Sequence, residues 1–402
     1  MLLATVLKAN LCSGCGLCAA MLGPSRATMA MTEPGFLRPV LTGAPTPSED
    51  AVIADICPGS RVHLPDGRID PDFPEWGPLE SVATGHAVDT NLRQAASSGG
   101  ALSAILEHLL LSGQASYVLQ VAASEDVPWL NRVMRSTSEG QIRHASGSRY
   151  APSAPLAAIV ACLEESRPFV VVGKPCDIAA LRAYARHDPR VDRLVVAMIA
   201  FMCGGIPSET GIRHLISRMG AAPDDVKAFR FRGNGWPGRT VARTDDGQEF
   251  SLSYSQSWGD VLSKHVQLRC KICADGTGMS ADIVCADAWY GDDSGYPTFD
   301  EQEGRSLVLG RTALGDSIIT AARQAGRLAT EPLATREIAL MQPYQLRRTR
   351  LTLSRLLAMR LTGRPATRFS GRSLWPLAAR SGLKANIESF LGAMLRAVRG
   401  RL

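Results

Sequence analysis

No apolar run in this chain is long enough to cross a bilayer. The longest, Leu194 to Cys203, has ten residues, about half of what a spanning helix needs. The opening MLLATVLKAN has too short an apolar stretch for a secretory signal. A cytoplasmic location is therefore expected. In a reducing compartment the ten cysteines point to metal or redox chemistry rather than disulfides. No self-similarity at a solenoid period is present, which excludes a repeat array. No G-x-G-x-x-G lies between a strand and a helix, so a Rossmann dinucleotide site is not read. Acids are scarce at one end only. Residues 341–402 hold 13 Arg and Lys against a single acid, Glu388, whereas the whole 402-residue chain carries only +6. An acidic body thus bears a basic tail.

The remaining composition, 45% apolar and 20% charged, is that of a globular protein of two or three domains. Eight prolines between Pro34 and Pro74 leave little room for long helices, so residues 1–75 read as a small loop-rich module. From about 76 to 335 the pattern is α/β. ALSAILEHLLLSG, PLAAIVACLEES, CDIAALRAYARH, GIRHLISRMG and ALGDSIITAARQAG read as helices. YVLQVAA, FVVVGK, LVVAMIAFMC, ADIVCADAW and SLVLGRT read as strands, and TVARTDDGQEFSLSY as a hairpin turning at Asp246-Gly247. The alternation predicts a mostly parallel sheet covered on both faces. Residues 336–402 are expected to be helical, amphipathic and free of strands.

LCSGCGLCAAMLG places Cys12, Cys15 and Cys18 in two C-x-x-C steps, but Met21 and Leu22 stand where a bacterial ferredoxin has its next Cys-Pro. Cys57-Pro58 supplies the missing pair. We assign Cys12, Cys15, Cys18 and Cys57 to one 4Fe–4S cluster in a ferredoxin-like module, with Gly14 and Gly16 letting the backbone wrap closely. Zinc is the alternative occupant. Cys176 and Cys203, each at a strand end, and the pair Cys270/Cys273 form a candidate second cluster. Ordinary buried thiols with a redox pair are the other reading. Cys162 and Cys285 read as core residues.

Two glycine-containing stretches precede helices. Ser97-Ser98-Gly99-Gly100 suits an anion, through free N–H groups and the helix dipole, or a plain serine cap. In Gly147-Ser148-Arg149-Tyr150, Arg149 is suited to bidentate phosphate binding. Lys174 ends a strand and would meet a phosphate, a flavin ring or solvent. Asp287, Trp289 and Tyr290 follow another strand and suit a planar ring.

Taken in order, CSGCGLC, SSGG, GSRYAPS, GKPCDIAALR, FMCGG, FRFRGNGWPG, RCKIC and ADIVCADAWYG resemble the flavin-dependent iron–sulfur proteins related to the beta subunit of coenzyme F-420 hydrogenase. Relatives of 7-hydroxymethyl chlorophyll a reductase belong to that group. The likeness spans about residues 8 to 315. It implies FAD on the α/β domain, one or two 4Fe–4S clusters, and the second cluster on Cys176, Cys203, Cys270 and Cys273. Ser98, Gly99, Gly100, Arg149 and Lys174 fall on stretches the family uses around its flavin. Three functions follow as expectations. The first is an iron–sulfur flavoprotein reductase that passes electrons between a ferredoxin-like partner, two clusters, FAD and a small organic substrate. The second is an electron-transfer subunit of a larger redox complex. The third, a zinc-stabilised binding protein, lies outside redox chemistry. Nucleic acid is not expected as a partner. The tail, through LRRTRLTLSRLLAMR (346–360) and NIESFLGAMLRAVRGRL (386–402), either packs on the body or meets an anionic membrane surface or an acidic partner.

Overall fold

The structure is a computed structural model and describes residues 1–292 and 297–398. Its centre is an eight-stranded sheet. In chain order the strands are β1 (Ser81–Ala87), β2 (Tyr117–Ala123), β3 (Asn131–Ser136), β4 (Phe169–Gly173), β5 (Val195–Phe201), β6 (Ile283–Asp287), β7 (Ser306–Gly310) and β8 (Leu328–Pro332). Their spatial order is β8-β1-β7-β6-β5-β4-β2-β3. The central four, β6, β5, β4 and β2, run parallel to one another. The flanking pairs are antiparallel. The expectation is a mostly parallel mixed sheet; the sheet is mixed, but four of its seven pairings are antiparallel, so the parallel part is confined to its centre. The sequence showed the parallel centre because strands buried on both faces read as continuous apolar runs. β1, β3 and β8 carry polar residues and were not read as strands.

Two apolar cores sandwich the sheet. Phe169 and Val171 point to one face, with Leu156, Ile159, Ile178 and Leu181. Val170 and Val172 point to the other, with Ala101, Ile105, Leu109 and Ile318. The buried carboxylate of Asp282 knits these layers. It accepts from Met198 N (2.8 Å), from Thr312 Oγ1 (3.0 Å) and from Arg182 Nη2, which is 3.1 Å from each of its oxygens. A three-stranded antiparallel sheet (Val226–Arg230, Thr240–Thr244, Glu249–Leu252) contains the expected hairpin and packs with the helix Glu209–Met219.

The N-terminal module holds a hairpin, Ala27–Thr32 with Phe36–Leu41, and a ten-residue helix, Pro47–Ile56. Proline begins that helix instead of preventing it. Pro47 occupies its first turn, where no N–H is needed, and Thr46 and Glu49 form a capping box.

The tail departs most from expectation. A strand, Arg368–Ser370, pairs in parallel with Arg61–His63 of the N-terminal module. The helix Pro343–Leu361 turns a polar face inward: Gln345, Arg348, Thr349 and Thr352 are all buried. Arg350 reaches the fully buried Glu75 at 2.7 Å. The last helix described is Gly382–Val398, so residues 399–402 of the second basic stretch lie outside the described residues.

Asp282→Ala should destabilise the chain by about 2–4 kcal/mol, because it strands three donors at once. Thermal unfolding checks this, with the surface change Asp316→Ala moving the midpoint far less.

Candidate functional site

The parallel strands decide where chemistry can gather. Gly173 of β4 lies opposite Ala200 of β5. The segments that follow, Lys174-Pro175-Cys176 and Met202-Cys203, therefore start side by side. β6 ends next to them at Asp287. This is the carboxyl edge, where open α/β sheets place their ligands. A cavity of about 490 Å³ opens there, and Ser97, Ser98, Gly100, Ser148, Arg149, Tyr150, Lys174, Cys203, Asp287 and Trp289 all line it. The sequence had singled out each of these.

Gly99 does not line the cavity. Its Cα faces the sheet, where an added Cβ would lie 2.6 Å from Gly85 O and 2.8 Å from Ser306 N. Its neighbour Ser98 gives its hydroxyl to Arg305 O (2.9 Å) instead of capping a helix. Gly100, with φ +73°, is the residue that turns into the helix Ala101–Leu111. The first turn of that helix, Ala101 to Ser103, lines the cavity. Ser97 Oγ accepts the Ser148 N–H. That bond joins the two glycine stretches into one wall.

Arg149 is engaged elsewhere. Its Nε donates to Asn131 Oδ1 at 2.9 Å and its Nη2 to the carbonyls of Pro128 and Leu130 at 2.9 and 2.6 Å. Burial, with a smaller contribution from Arg230, lowers its pKa to about 10. Arg149 thus braces the loop after β2 rather than offering a free fork to phosphate. Lys174 is 3% exposed, and its Nζ donates to Ser153 O (3.0 Å) and Ser153 Oγ (2.9 Å) and pairs with Asp177 at 2.7 Å. Burial pushes its pKa down, but Asp177 and the Cys176 thiol outweigh it and the net shift is upward.

Sequence reasoning missed the residue at the centre of the wall. Arg232 of the FRFRGNGWPG stretch is 2% exposed. It holds Asp287 with both terminal nitrogens (2.8 and 2.9 Å), Ser97 O at 2.7 Å and Pro237 O at 2.8 Å. Trp236 Nε1 adds a bond to Asp287 at 2.8 Å. The guanidinium lies over the rings of Tyr254 and Trp289, at 4.8 and 5.2 Å. Trp289 in turn stacks on Trp236 and meets Phe299 edge to face. An arginine two residues after another, alternating with phenylalanines where a strand ends, was the available signal.

The cysteines gather in two groups. Cys12, Cys15, Cys18 and Cys57 line one small cavity with Leu3, Pro39 and Ile53. Both glycines of the motif have positive φ and press on backbone. A Cβ on Gly14 would meet Leu37 O at 2.9 Å, and one on Gly16 would meet Ala157 N at 2.7 Å. Burial raises all four thiols, Cys57 to about 11. In the second group the Cys176 thiol feels Cys203 and Cys270, and Cys203 feels Cys270 and Cys273. Three buried cations act on sulfurs of both groups. The charge of Arg38 acts on Cys12 and Cys270, that of Lys174 on Cys12, Cys15 and Cys176. Arg269, bonded to Pro58 O at 2.8 Å, acts on Cys57 as well as on Cys273 and Cys176. Among the described residues, no three His, Cys, Asp or Glu side chains are placed to hold a lone metal ion.

The tail completes the second group. Arg348 donates to Cys203 O (2.8 Å) and Cys270 O (2.6 Å), Gln345 to Cys203 O (3.0 Å), and Thr352 to Cys273 O (3.1 Å). Gln345, Arg348 and Thr352 recur at helical spacing, a polar stripe that faces the cysteine turns.

Two family models match this chain. The coenzyme F420 hydrogenase/dehydrogenase beta subunit N-terminal model matches residues 82–161, and the C-terminal model of the same subunit matches residues 167–336. The chain belongs to the coenzyme F420 hydrogenase/dehydrogenase beta subunit family. The resemblance read from the motifs is thereby shown. A solved chain from the F420-reducing [NiFe] hydrogenase complex of Methanosarcina barkeri shares the fold. It is 20% identical with a TM-score of 0.59, over 75% of this chain and 98% of that one. The matched segments comprise the sheet and most of its cavity wall, to which Met341 to Gln345 of the tail also contribute. Residues 1–81, with the first cysteine group, and the tail from 337 lie outside both models.

Arg348→Ala should leave the Cys203 and Cys270 carbonyls poorly held. After anaerobic reconstitution its iron content should fall towards half that of the unaltered protein, whereas Arg347→Ala, on the exposed side of the same helix, should leave it unchanged. Iron and acid-labile sulfide assays read this directly.

Proposed function

We propose that this chain is a beta-type subunit of a redox complex. It would carry electrons between single-electron partners, such as a ferredoxin-like protein or a neighbouring subunit, and a small organic hydride carrier of the deazaflavin class. The observation that carries this reading is that the sites share residues and charges. Arg38 and Arg269 each act on sulfurs of both cysteine groups, and Cys203 belongs to both the second group and the cavity wall. The family match favours a subunit over the self-contained reductase that the sequence placed first. Among the described residues, no helix is long and apolar enough to cross a membrane.

The residues present suit the groups the family implies. A cavity of this volume is in the range of cofactor sites. Its wall includes the first turn of an eleven-residue helix, where free N–H groups favour a phosphate. Buried thiols with raised pKa values need a cationic core to stay deprotonated, and two sets of four suit two 4Fe–4S clusters better than two zinc ions. FAD, when bound, would exchange an electron pair with the organic substrate and single electrons with the clusters.

The chain's own part is positioning and charge. The Ser97–Ser148 bond fixes the phosphate side, and Ser97, Ser148 and the N-terminus of Ala101–Leu111 are the groups we assign to it. Arg232, held on Asp287, Ser97 O and Pro237 O, sets the aromatic wall of Tyr254, Trp289 and Phe299 against which a planar ring would lie. Lys174, fixed by Ser153 and Asp177, keeps a cation between the cavity and Cys176. Arg38 and Arg269 keep cations near sulfurs of both cysteine groups. Positive charge next to a site that gains electrons makes its reduction easier. We take 1–75 as the cluster module, 76–335 as the flavin domain, and 336–402 as the tail.

The test is anaerobic reconstitution. About eight iron atoms per chain and one FAD are expected, and Cys12→Ser and Cys203→Ser should each remove about half the iron. Ser148→Glu puts a carboxylate where phosphate should sit and should weaken FAD binding at least about tenfold. That change is cleaner than one at Gly99, where a side chain would strike the sheet. Chemically reduced protein should bleach the visible absorption of an oxidised deazaflavin. Zinc in place of iron, or full flavin occupancy in a folded Ser148→Glu variant, contradicts the proposal.

A further inference from the structure

The helix Gly382–Val398 presents two unlike faces. Its inner face packs on Pro343–Leu361 through small and polar residues. Ser354 Oγ meets Asn386 Oδ1 at 2.6 Å, Arg355 Nε donates to Ser389 Oγ at 3.2 Å, and Ala393 and Ala397 are buried. Its outer face is a ladder of aliphatic side chains at i, i+4 spacing: Leu383 (77% exposed), Ile387 (47%), Leu391 (45%) and Leu395 (51%), with Val398 (75%) a turn beyond. Trp375, 65% exposed on the adjoining short helix Trp375–Ala379, extends the same apolar character. A soluble surface rarely leaves such a row uncovered.

We propose that this face docks on an anionic lipid surface. The helix would lie in the plane of the interface, with its aliphatic ladder and the Trp375 indole among the acyl chains and its cations at the headgroups. Charge selects this occupant. Lys384 and Arg396 flank the ladder, with Arg360, Arg368 and Arg380 exposed on the neighbouring tail segments and Glu388 the lone acid from residue 341 onward. An aliphatic row flanked by cations and an exposed tryptophan is the composition that binds interfacially. A second copy meeting at this face would bring two basic tails together, which like-charge repulsion opposes. Residues 346–360 share the basic amphipathic composition, but through Arg348 and Thr352 they are committed to the second cysteine group. The docking element is the last helix with Trp375 beside it.

The experiment uses the full chain, reconstituted with iron and flavin. Vesicles of equal phosphatidylcholine and phosphatidylglycerol are compared with vesicles of phosphatidylcholine alone by co-sedimentation at low and high salt. The protein should sediment with the anionic vesicles, bind phosphatidylcholine far more weakly, and be released by salt. Ile387→Glu/Leu391→Glu should weaken binding at least about tenfold, since each side chain loses a transfer worth more than a tenfold step. Lys384→Glu/Arg396→Glu should lose the anionic preference. Both variants alter exposed positions, so iron and flavin contents should not change. Three results overturn the proposal: no vesicle binding by the unaltered chain, equal binding by the Ile387→Glu/Leu391→Glu variant, or a dimer in solution that this variant converts to monomer.

Discussion

Because β4 and β5 are parallel neighbours in a fixed register, with Gly173 beside Ala200, the residues that follow each strand emerge together at one edge. Lys174 and Cys176 leave the first strand, and Cys203 leaves the second. β6, parallel to β5, delivers Asp287 and Trp289 to the same line. No side chain has to travel to meet the others. The loops arriving from elsewhere, Ser97–Gly100 before a helix and Phe231–Gly238 after a strand of the small sheet, are then held to that line by backbone bonds and by Arg232. Shifting one strand by a residue would turn the cysteine away and put its neighbour into the core.

Electrostatics imposes the second condition. Buried charges are tolerated when paired and hydrogen-bonded, and this edge holds several. Arg232 spends its donors on Asp287 and on carbonyls. Lys174 does so on Asp177 and Ser153. Arg348 spends its donors on carbonyls of cysteine residues, so its charge is left to be balanced by the sulfurs nearby. Arg269 is in the same position beside Cys176 and Cys273. Cations and buried thiols thus explain one another: each would be costly alone, and together they suit sulfurs that are thiolates.

Legibility follows from the same physics. The central strands announced themselves because both faces are buried, and the hairpin because Asp-Gly sits between two alternating runs. The cysteine spacing, the glycine stretches and the strand ends identified several polar residues of the cavity wall, since the sheet edge is where strand-end residues must go. Three things were hidden. β1, β3 and β8 are flanking strands whose polar residues gave no apolar run. Arg232 acts through tertiary contacts that span 55 residues to Asp287 and 135 to Ser97, which no local pattern encodes. Gly99 looked like part of an anion cradle but supports the close approach of the loop to β1 and β7.

The tail shows why charge alone misleads. Its two helices have similar composition, yet one is interior and the other is exposed. What separates them is the position of the polar residues. In Pro343–Leu361 the short polar groups Gln345, Thr349 and Thr352 line up with Arg348 on one side, and that side can satisfy carbonyls left over where three cysteine-bearing turns converge. In Gly382–Val398 the inward side is alanine, serine and asparagine, which fits a close helix–helix contact and leaves the large aliphatic residues outside. Cutting the chain before Pro343 would therefore remove two functions at once, because the helix that anchors the outer one also holds Cys203, Cys270 and Cys273. The outer helix can be altered by itself only at its solvent face, from Leu383 to Leu395, where no described contact to the cysteine turns is lost.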